Sequence, residues 1–289
     1  KEINSGIYWF KAEKLSGLLD KLGNNNAAGE YYLTDTVAVA EKKGVYTADS
    51  TDVVLGANSR SQLAALNEVA RKRKLAELMD EGVDIPLSDG IIIGKDVKIG
   101  HDTVILPNTI IKGNTVIGNG CEIGPNSYIA DCVIEDNVIL NNVQAHESKV
   151  DSKAKAGPFV HLRPNTHLHS GVKIGDFVEV KNSEVGINTC IAHLTYVGDS
   201  DVGKGVNFGC GCVTANYDGI KKYRTTIGDN AFIGCHTNLI APVTIGDNAT
   251  TAAGSTITKN VPADSLAVER GQTRIIEHWE KNSKRIKKA

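Results

Sequence analysis

Ile91-Ile92-Ile93-Gly94-Lys95-Asp96-Val97-Lys98-Ile99-Gly100-His101-Asp102-Thr103-Val104-Ile105 sets a beat that the chain then keeps: isoleucine recurs at 93, 99, 105, 111, 117, 123 and 129. Neither an amphipathic helix nor a simple alternating strand repeats every six residues. A six-residue period belongs to a parallel β-helix, in which three short flats close one coil. Each β-branched side chain then points inward and stacks on its counterpart one coil away. Gly94, Gly100, Gly118 and Gly124 follow the stacking position, where a residue without Cβ turns a corner at least cost.

The beat blurs between Cys132 and Asp151 and returns as Ala156, Leu162, Leu168, Ile174 and Val180. It slips to Val185, Ile191 and Val197, slips again to Val202, Phe208 and Thr214, and closes with Ile227, Ile233, Leu239, Ile245, Thr251 and Ile257. This predicts a solenoid of roughly nine coils. The break between Ala215 and Thr226 reads as an inserted loop, and such insertions commonly belong to a binding face.

Composition narrows the classes. A formal charge of −2 gives no basic field for nucleic acid or a membrane surface. Aromatics are 5% of residues, as expected where aliphatic stacks fill a narrow interior. No apolar run is long enough to span a bilayer and no signal peptide opens the chain, which predicts a soluble, cytoplasmic protein. Because the sequence opens at Lys1 without a Met, a fragment is expected. Cys121, Cys132, Cys190, Cys210, Cys212 and Cys235 show no paired zinc spacing and read as free thiols in a reducing compartment. Cys210-Gly211-Cys212 alone is a weak metal or redox signal.

Upstream of the beat, residues 1–56 show short apolar segments (Ile7 to Phe10, Val37 to Val39), a candidate helix from Ala12 to Leu22, a turn at Asn24-Asn25-Asn26 and a candidate strand region from Val45 to Val54. That is too little for a core of its own. Ser59 to Asp80 has helical spacing through Leu63, Leu66, Ala70, Leu75 and Leu78. Its Arg71-Lys72-Arg73-Lys74 cluster reads as a solvated arm rather than a nucleic-acid patch. Gly82 to Asp89 reads as a linker. Four segments result: 1–56, an arm and linker at 57–87, the solenoid at 88–268, and a basic tail at 269–289 carrying Trp279.

Within the solenoid, polar groups that stacking does not require gather through Arg163, Glu179, Lys181, His193, Tyr196, Asn207, Asn216, Tyr217 and Lys222. Cations on different coils suit an anionic group such as a phosphate. An imidazole among them suits proton removal from an attacking amine near neutral pH. His161, His167 and His169 invite a metal reading of the γ-carbonic-anhydrase kind. They sit in two consecutive flats, whereas ligands for one ion should come from separate coils at matched phase.

Leu162-Arg163-Pro164, Phe177-Val178-Glu179-Val180-Lys181, His193-Leu194-Thr195-Tyr196-Val197-Gly198-Asp199 and Asn216-Tyr217-Asp218-Gly219 resemble the acetyltransferase part of the bacterial bifunctional N-acetylglucosamine-1-phosphate uridylyltransferase/glucosamine-1-phosphate acetyltransferases. Glu2-Ile3-Asn4-Ser5-Gly6 and Gly29-Glu30-Tyr31-Tyr32-Leu33-Thr34-Asp35 resemble the end of their uridylyltransferase domain, without its Gly-rich nucleotide loop. The resemblance implies a mainly β protein. A left-handed parallel β-helix follows a long linker helix and a small, inactive α/β remnant. It also implies a homotrimer with sites between subunits.

By the same resemblance, Arg163, Lys181, Tyr196 and Asn207 bind glucosamine-1-phosphate, with Lys222 as a further cation. His193 is the general base for attack on acetyl-CoA, and backbone N–H groups near Gly209 and Cys210 stabilise the oxyanion. Cys210, Asn216, Tyr217, Cys235, Ala253 and Arg270 fall at acetyl-CoA positions, with Cys210 and Cys235 where a small Ala and a Ser are familiar. Glu179 is read, beyond the family pattern, as orienting His193 or the amine. Asn4 and Asn58 match uridine-nucleotide and Mg²⁺ positions orphaned from their domain. A transferase for another amino sugar and a non-catalytic β-helix scaffold are the alternatives.

Overall fold

The computed structural model describes residues 4–48 and 50–277. Two compact units, residues 1–70 and 71–289, meet inside one helix, α3 (Arg60–Asp80). In the first unit the helices α1 (Ala12–Leu19) and α2 (Asp35–Val39) are short, and Thr36 is the only buried residue among those described. Trp9, Val45 and Tyr46 are almost wholly exposed. Among the described residues of the candidate strand region from Val45 to Val54 no strand forms: Ser50, in extended backbone, leads into a 3₁₀ turn at Thr51–Val54. Without a partner edge, a β-branched run has no ladder to join.

The second unit is a left-handed parallel β-helix with three faces. The first face stacks ten strands from Ile92–Ile93 to Thr256–Ile257. The second stacks nine from Lys98–Ile99 to Val243–Ile245, and the third ten from Val104–Ile105 to Leu266–Ala267. That is ten coils, one more than the hexads suggest. Register is strict: Ile93 pairs with Ile111 and Ile105 with Ile123, so each inward isoleucine lies on the next. Ile105, Ile111, Ile123 and Ile129 are fully buried, and each contributes about 1.5–3 kcal/mol by leaving water.

The blurred phase has a simple cause. Inward residues step six apart along most flats but five apart from Ile129 to Ile134, Ala145 to Val150, Val180 to Val185 and Val197 to Val202, between the first and second faces, and from Leu140 to Ala145, between the third and first. Each shortened corner turns on a residue with positive φ: Asp131, Glu147, Asn182, Asp199 or Asn142. The glycines play a different part from the one expected. At Gly100 and Gly118 φ is not positive, and an added Cβ would come within 2.7–2.8 Å of the backbone one coil up. They permit close stacking, while Asn and Asp make most of the turns that glycine does not.

The linker is already part of this stack. Val83 and Ile85 are buried, and Asp84 forms a parallel bridge with Val104. Leu75 and Leu78 of α3 are buried as well. In the basic cluster, the Arg71 guanidinium donates to the carbonyls of Ser88 and Ile91 (3.0 and 3.3 Å), and Lys74 pairs with Glu77 at 2.7 Å.

Candidate active site

One corner of the prism, where the third face passes into the first, carries the residues of interest. Its turning position has positive φ and is occupied in successive coils by Asn108, Asn126, Asn142, Phe159, Phe177, Leu194, Gly211, His236 and Gly254. Amide-to-carbonyl bonds tie this column to the residue before the turn one coil away. Leu194 N donates to Asp176 O, Gly211 N to His193 O, His236 N to Cys210 O, and Gly254 N to Cys235 O. Asp176, His193, Cys210, Cys235 and Ala253 therefore stand one above another. Arg270 closes the column, its Nη1 donating to Ala253 O at 2.9 Å.

His193 ends the strand Cys190–His193, with the Cα of Asp176 as its partner one coil below. It is exposed, and among the described residues its imidazole has no hydrogen-bond partner, so both ring nitrogens are open to a ligand. The Gly209 amide is not available for an oxyanion, contrary to expectation, because it donates to Ile233 O at 2.7 Å in the ladder. The Cys210 amide has no acceptor among the described residues.

Around the corner, the first face holds the polar cluster. Glu179, Tyr196 and Val213 occupy one register position in successive coils, and Lys181 lies opposite Gly198. Arg163 Nη1 donates to Glu179 Oε1 at 2.7 Å. Glu179 thus holds the guanidinium, and no hydrogen bond joins it to His193 among the described residues, so its expected orienting role toward the imidazole finds no contact. The Tyr196 ring lies over Gly198, where a Cβ would meet the phenol oxygen at 2.3 Å. Asn216 Nδ2 donates to that oxygen at 3.4 Å and also to Asp199, which accepts from Asn182 as well.

The inserted loop folds back on an antiparallel bridge between Tyr217 and Lys222. Asp218 accepts from the amides of Ile220 and Lys221 at 2.8 Å each, and the Lys221 and Ile220 amides hold its carboxyl below the usual carboxylate range. Arg224 anchors the loop's end on Asp201, Nε to Oδ2 at 2.9 Å. The fold brings Lys222 beside Lys181, and that second ammonium is the main reason the Lys181 amine is pushed below its ordinary value; partial burial adds to it. Arg163 adds to that repulsion and the Asp199 carboxylate offsets part of it, so the cluster is suited to hold an anion.

Asn207 does not join this cluster. It lies on the third face, opposite Cys190 and Phe232. Asn4 and Asn58 belong to the first unit and are exposed: the Asn4 amide donates to Tyr8 Oη at 2.6 Å, and the Asn58 backbone amide is held by Gln62 at 2.7 Å. Cys210 and Cys212 do not act as a pair. Cys212 is buried, with its thiol pushed up to about 11 by that burial, while Cys210 is half-buried on the corner. Trp279 and most of the basic tail lie outside the described residues.

Sequence reasoning missed Phe159, Phe177 and Leu194. All three are more than half exposed, and the rings of Phe159 and Phe177 stack at 5.1 Å and 5°. Bulky side chains rarely adopt positive φ, which costs such residues about 1–2 kcal/mol. The signal was present: in the lower coils the same hexad position holds asparagine.

A bacterial transferase hexapeptide family model, built of six repeats, matches residues 224–259. The bifunctional protein GlmU of Acetivibrio thermocellus is 50% identical over 283 residues, covering 96% of this chain and 61% of that protein. GlmU of Clostridium acetobutylicum is 47% identical over 282 residues, covering 96% and 62%. Among solved structures, the UDP-N-acetylglucosamine acyltransferase of Francisella novicida matches 62% of this chain and 64% of its own, at 17% identity and a TM-score of 0.34. The chain spans about three fifths of the length of the curated relatives it matches. Near-half identity runs across almost all of this chain's residues, so the chain is similar to the C-terminal part of the bifunctional GlmU proteins.

Proposed function

We propose that this chain transfers the acetyl group of acetyl-CoA to the amine of glucosamine-1-phosphate. The observation that carries the reading is the corner itself. His193, Cys210, Cys235, Ala253 and Arg270 form one column, and the Arg163, Lys181 and Lys222 cations gather on the adjoining face. His193 takes a proton from the amine as its nitrogen attacks the thioester carbon. The tetrahedral intermediate then collapses, the C–S bond breaks, and the proton is passed to the departing CoA thiolate. The thioester is already activated, so the protein supplies position, a base and an amide donor at Cys210 rather than redox chemistry. Lys181 and Lys222 hold the sugar phosphate, and the Cys210–Ala253 column with Arg270, Asn216 and Tyr217 holds CoA.

A site of this kind needs a second copy of the chain. Asn207 and Lys181 stand on different faces of one prism, which supports a pocket shared by two chains. The exposed Phe159, Phe177 and Leu194 ladder supports the same view, because it leaves apolar surface beside His193 for a neighbour to cover. The assembly is a homotrimer with three shared sites.

The test is the acceptor. Free CoA is followed in solutions containing acetyl-CoA with glucosamine-1-phosphate, glucosamine-6-phosphate or serine. Turnover confined to glucosamine-1-phosphate upholds the proposal; preference for another amine moves it to another sugar, and no turnover with any acceptor leaves a scaffold.

A further inference from the structure

The second face carries a cluster that this function does not use. Lys149, His167 and Glu184 occupy one register position in three successive coils. His167 and His169 flank the inward Leu168, so both rings leave the same side of one strand, with centroids 4.0 Å apart. From the coil below, Asp151 places Oδ1 at 2.9 Å from His167 Nε2 and Oδ2 at 3.2 Å from His169 Nδ1. From the coil above, Glu184 Oε2 lies 3.1 Å from His167 Nδ1 and 2.8 Å from His169 Nε2. His161, the third histidine of the metal pattern read from the sequence, stands elsewhere, on the first face beside His146.

All four ring nitrogens thus face a carboxylate oxygen. A neutral imidazole has one N–H, so two neutral rings can donate to only two of those four contacts. If Glu184 accepts both N–H groups, the nitrogens turned to Asp151 present lone pairs to an anion. Such a contact is repulsive unless a cation lies between. Asp151 is the most enclosed of the set, its side chain 12% exposed against 53% for Glu184, so the unmet demand sits on the inner side.

We propose that Asp151, His167 and His169 bind one divalent transition-metal ion of the zinc, nickel or copper class, with Glu184 as the outer acceptor that fixes both rings. Two imidazoles and one carboxylate suit that class and not magnesium or calcium, which prefer oxygen alone. The three ligand atoms lie within 4.8 Å of one another. A tetrahedral ion with bonds of the usual length sets its ligand atoms roughly 3.3 Å apart, close to the 2.9 and 3.2 Å seen from Asp151 to the rings. Lys149 competes for Asp151 at 2.9 Å but has Glu135 as a second partner at 3.7 Å. Farther along the register, Asp201 is taken by Arg224. The ion therefore binds as the Lys149 ammonium turns from Asp151 to Glu135.

The rival is a proton-held cluster in which both rings are imidazolium and supply all four protons. Calorimetric titration of the chelator-stripped protein with Zn²⁺, above and below the imidazole range, separates the two. One ion per chain is expected, bound more weakly at the lower pH because protons compete for the same nitrogens. Glu184→Gln is expected to weaken binding about 10–100-fold; His169→Gln and Asp151→Asn should weaken it more, while His101→Gln should not. Two ligand variants are used so that misfolding of one, read by circular dichroism, leaves the other decisive. Absence of uptake, or uptake that survives both His169→Gln and Asp151→Asn, overturns the proposal.

Discussion

The same corner of the same prism is written in two ways. In the lower coils its turning position is Asn108, Asn126 and Asn142, preceded by Pro107, Pro125 and Asn141. Higher up it becomes Phe159, Phe177 and Leu194, and the preceding position becomes Pro158, Asp176 and His193, followed by Cys210, Cys235 and Ala253. Backbone geometry hardly changes, since φ lies between 46° and 59° at all six turning residues. Stacking fixes the inward positions and leaves this edge free. The lower coils fill it with the residue that turns most easily, and the upper coils fill it with chemistry at a conformational cost.

The sharpest break between the two halves should come from paired substitutions at equivalent positions. His193→Ala is expected to lower kcat about 10²–10⁴-fold with no change in melting temperature, because its side chain is exposed. Pro125→Ala, in the lower coils, should leave kcat unchanged. Steady-state rates and thermal melts on both variants decide it; a His193→Ala enzyme within a few-fold of the parent removes the base from the mechanism.

Next in size is a test of the shared pocket. Asn207→Ala and Lys181→Ala should each be nearly inactive alone. If one site takes Asn207 from one chain and Lys181 from its neighbour, unfolding and refolding the two variants together restores activity. Random mixing leaves about a quarter of the sites intact. Refolded mixtures no better than either variant alone would put both residues on one chain's pocket.

This contrast also explains what could be read beforehand. The isoleucine beat exposed the fold because stacked β-branched residues are required at every inward position, whatever the function. The five-residue corners blurred it because a local deletion shifts phase without altering burial, so ten coils looked like nine. Arg163, Lys181, His193 and Lys222 were legible because cations and an imidazole have no place in a stack. Phe159, Phe177 and Leu194 were not, since apolar residues in a β-helix look like core until the turn places them outside. Gly209 misled for a related reason: whether its amide is free depends on a ladder partner, Ile233, that spacing alone does not reveal.

A smaller effect separates cost from use at the turn itself. Leu194→Asn installs in the upper corner the residue that the lower corner favours. Leu194 is 60% exposed, so little burial is lost, and stability should rise by about 1 kcal/mol as the left-handed backbone is relieved. Chemical denaturation measures that gain. Activity should fall several-fold if the ladder meets a neighbouring chain. A variant that gains stability and keeps full activity would make the bulky turns an accident of sequence.

The smallest expected effect concerns the two lysines. Lys181 has its amine lowered chiefly by Lys222, so folding brings together like charges that the unfolded chain keeps apart. The folded state then binds fewer protons than the unfolded state in the alkaline range, and stability rises with pH between the lowered value and the ordinary lysine value. Lys222→Met should flatten that rise and leave the neutral protein no less stable, an effect of less than about 1 kcal/mol because Lys222 is exposed and solvent screens the pair. The same substitution should weaken protection by inorganic phosphate, because an anion between the two ammonium groups turns their repulsion into a binding force. Melting curves with and without phosphate, across the alkaline range, read both consequences in one experiment. Equal phosphate protection in parent and variant would mean that the pair, although strained together, is not where the phosphate sits.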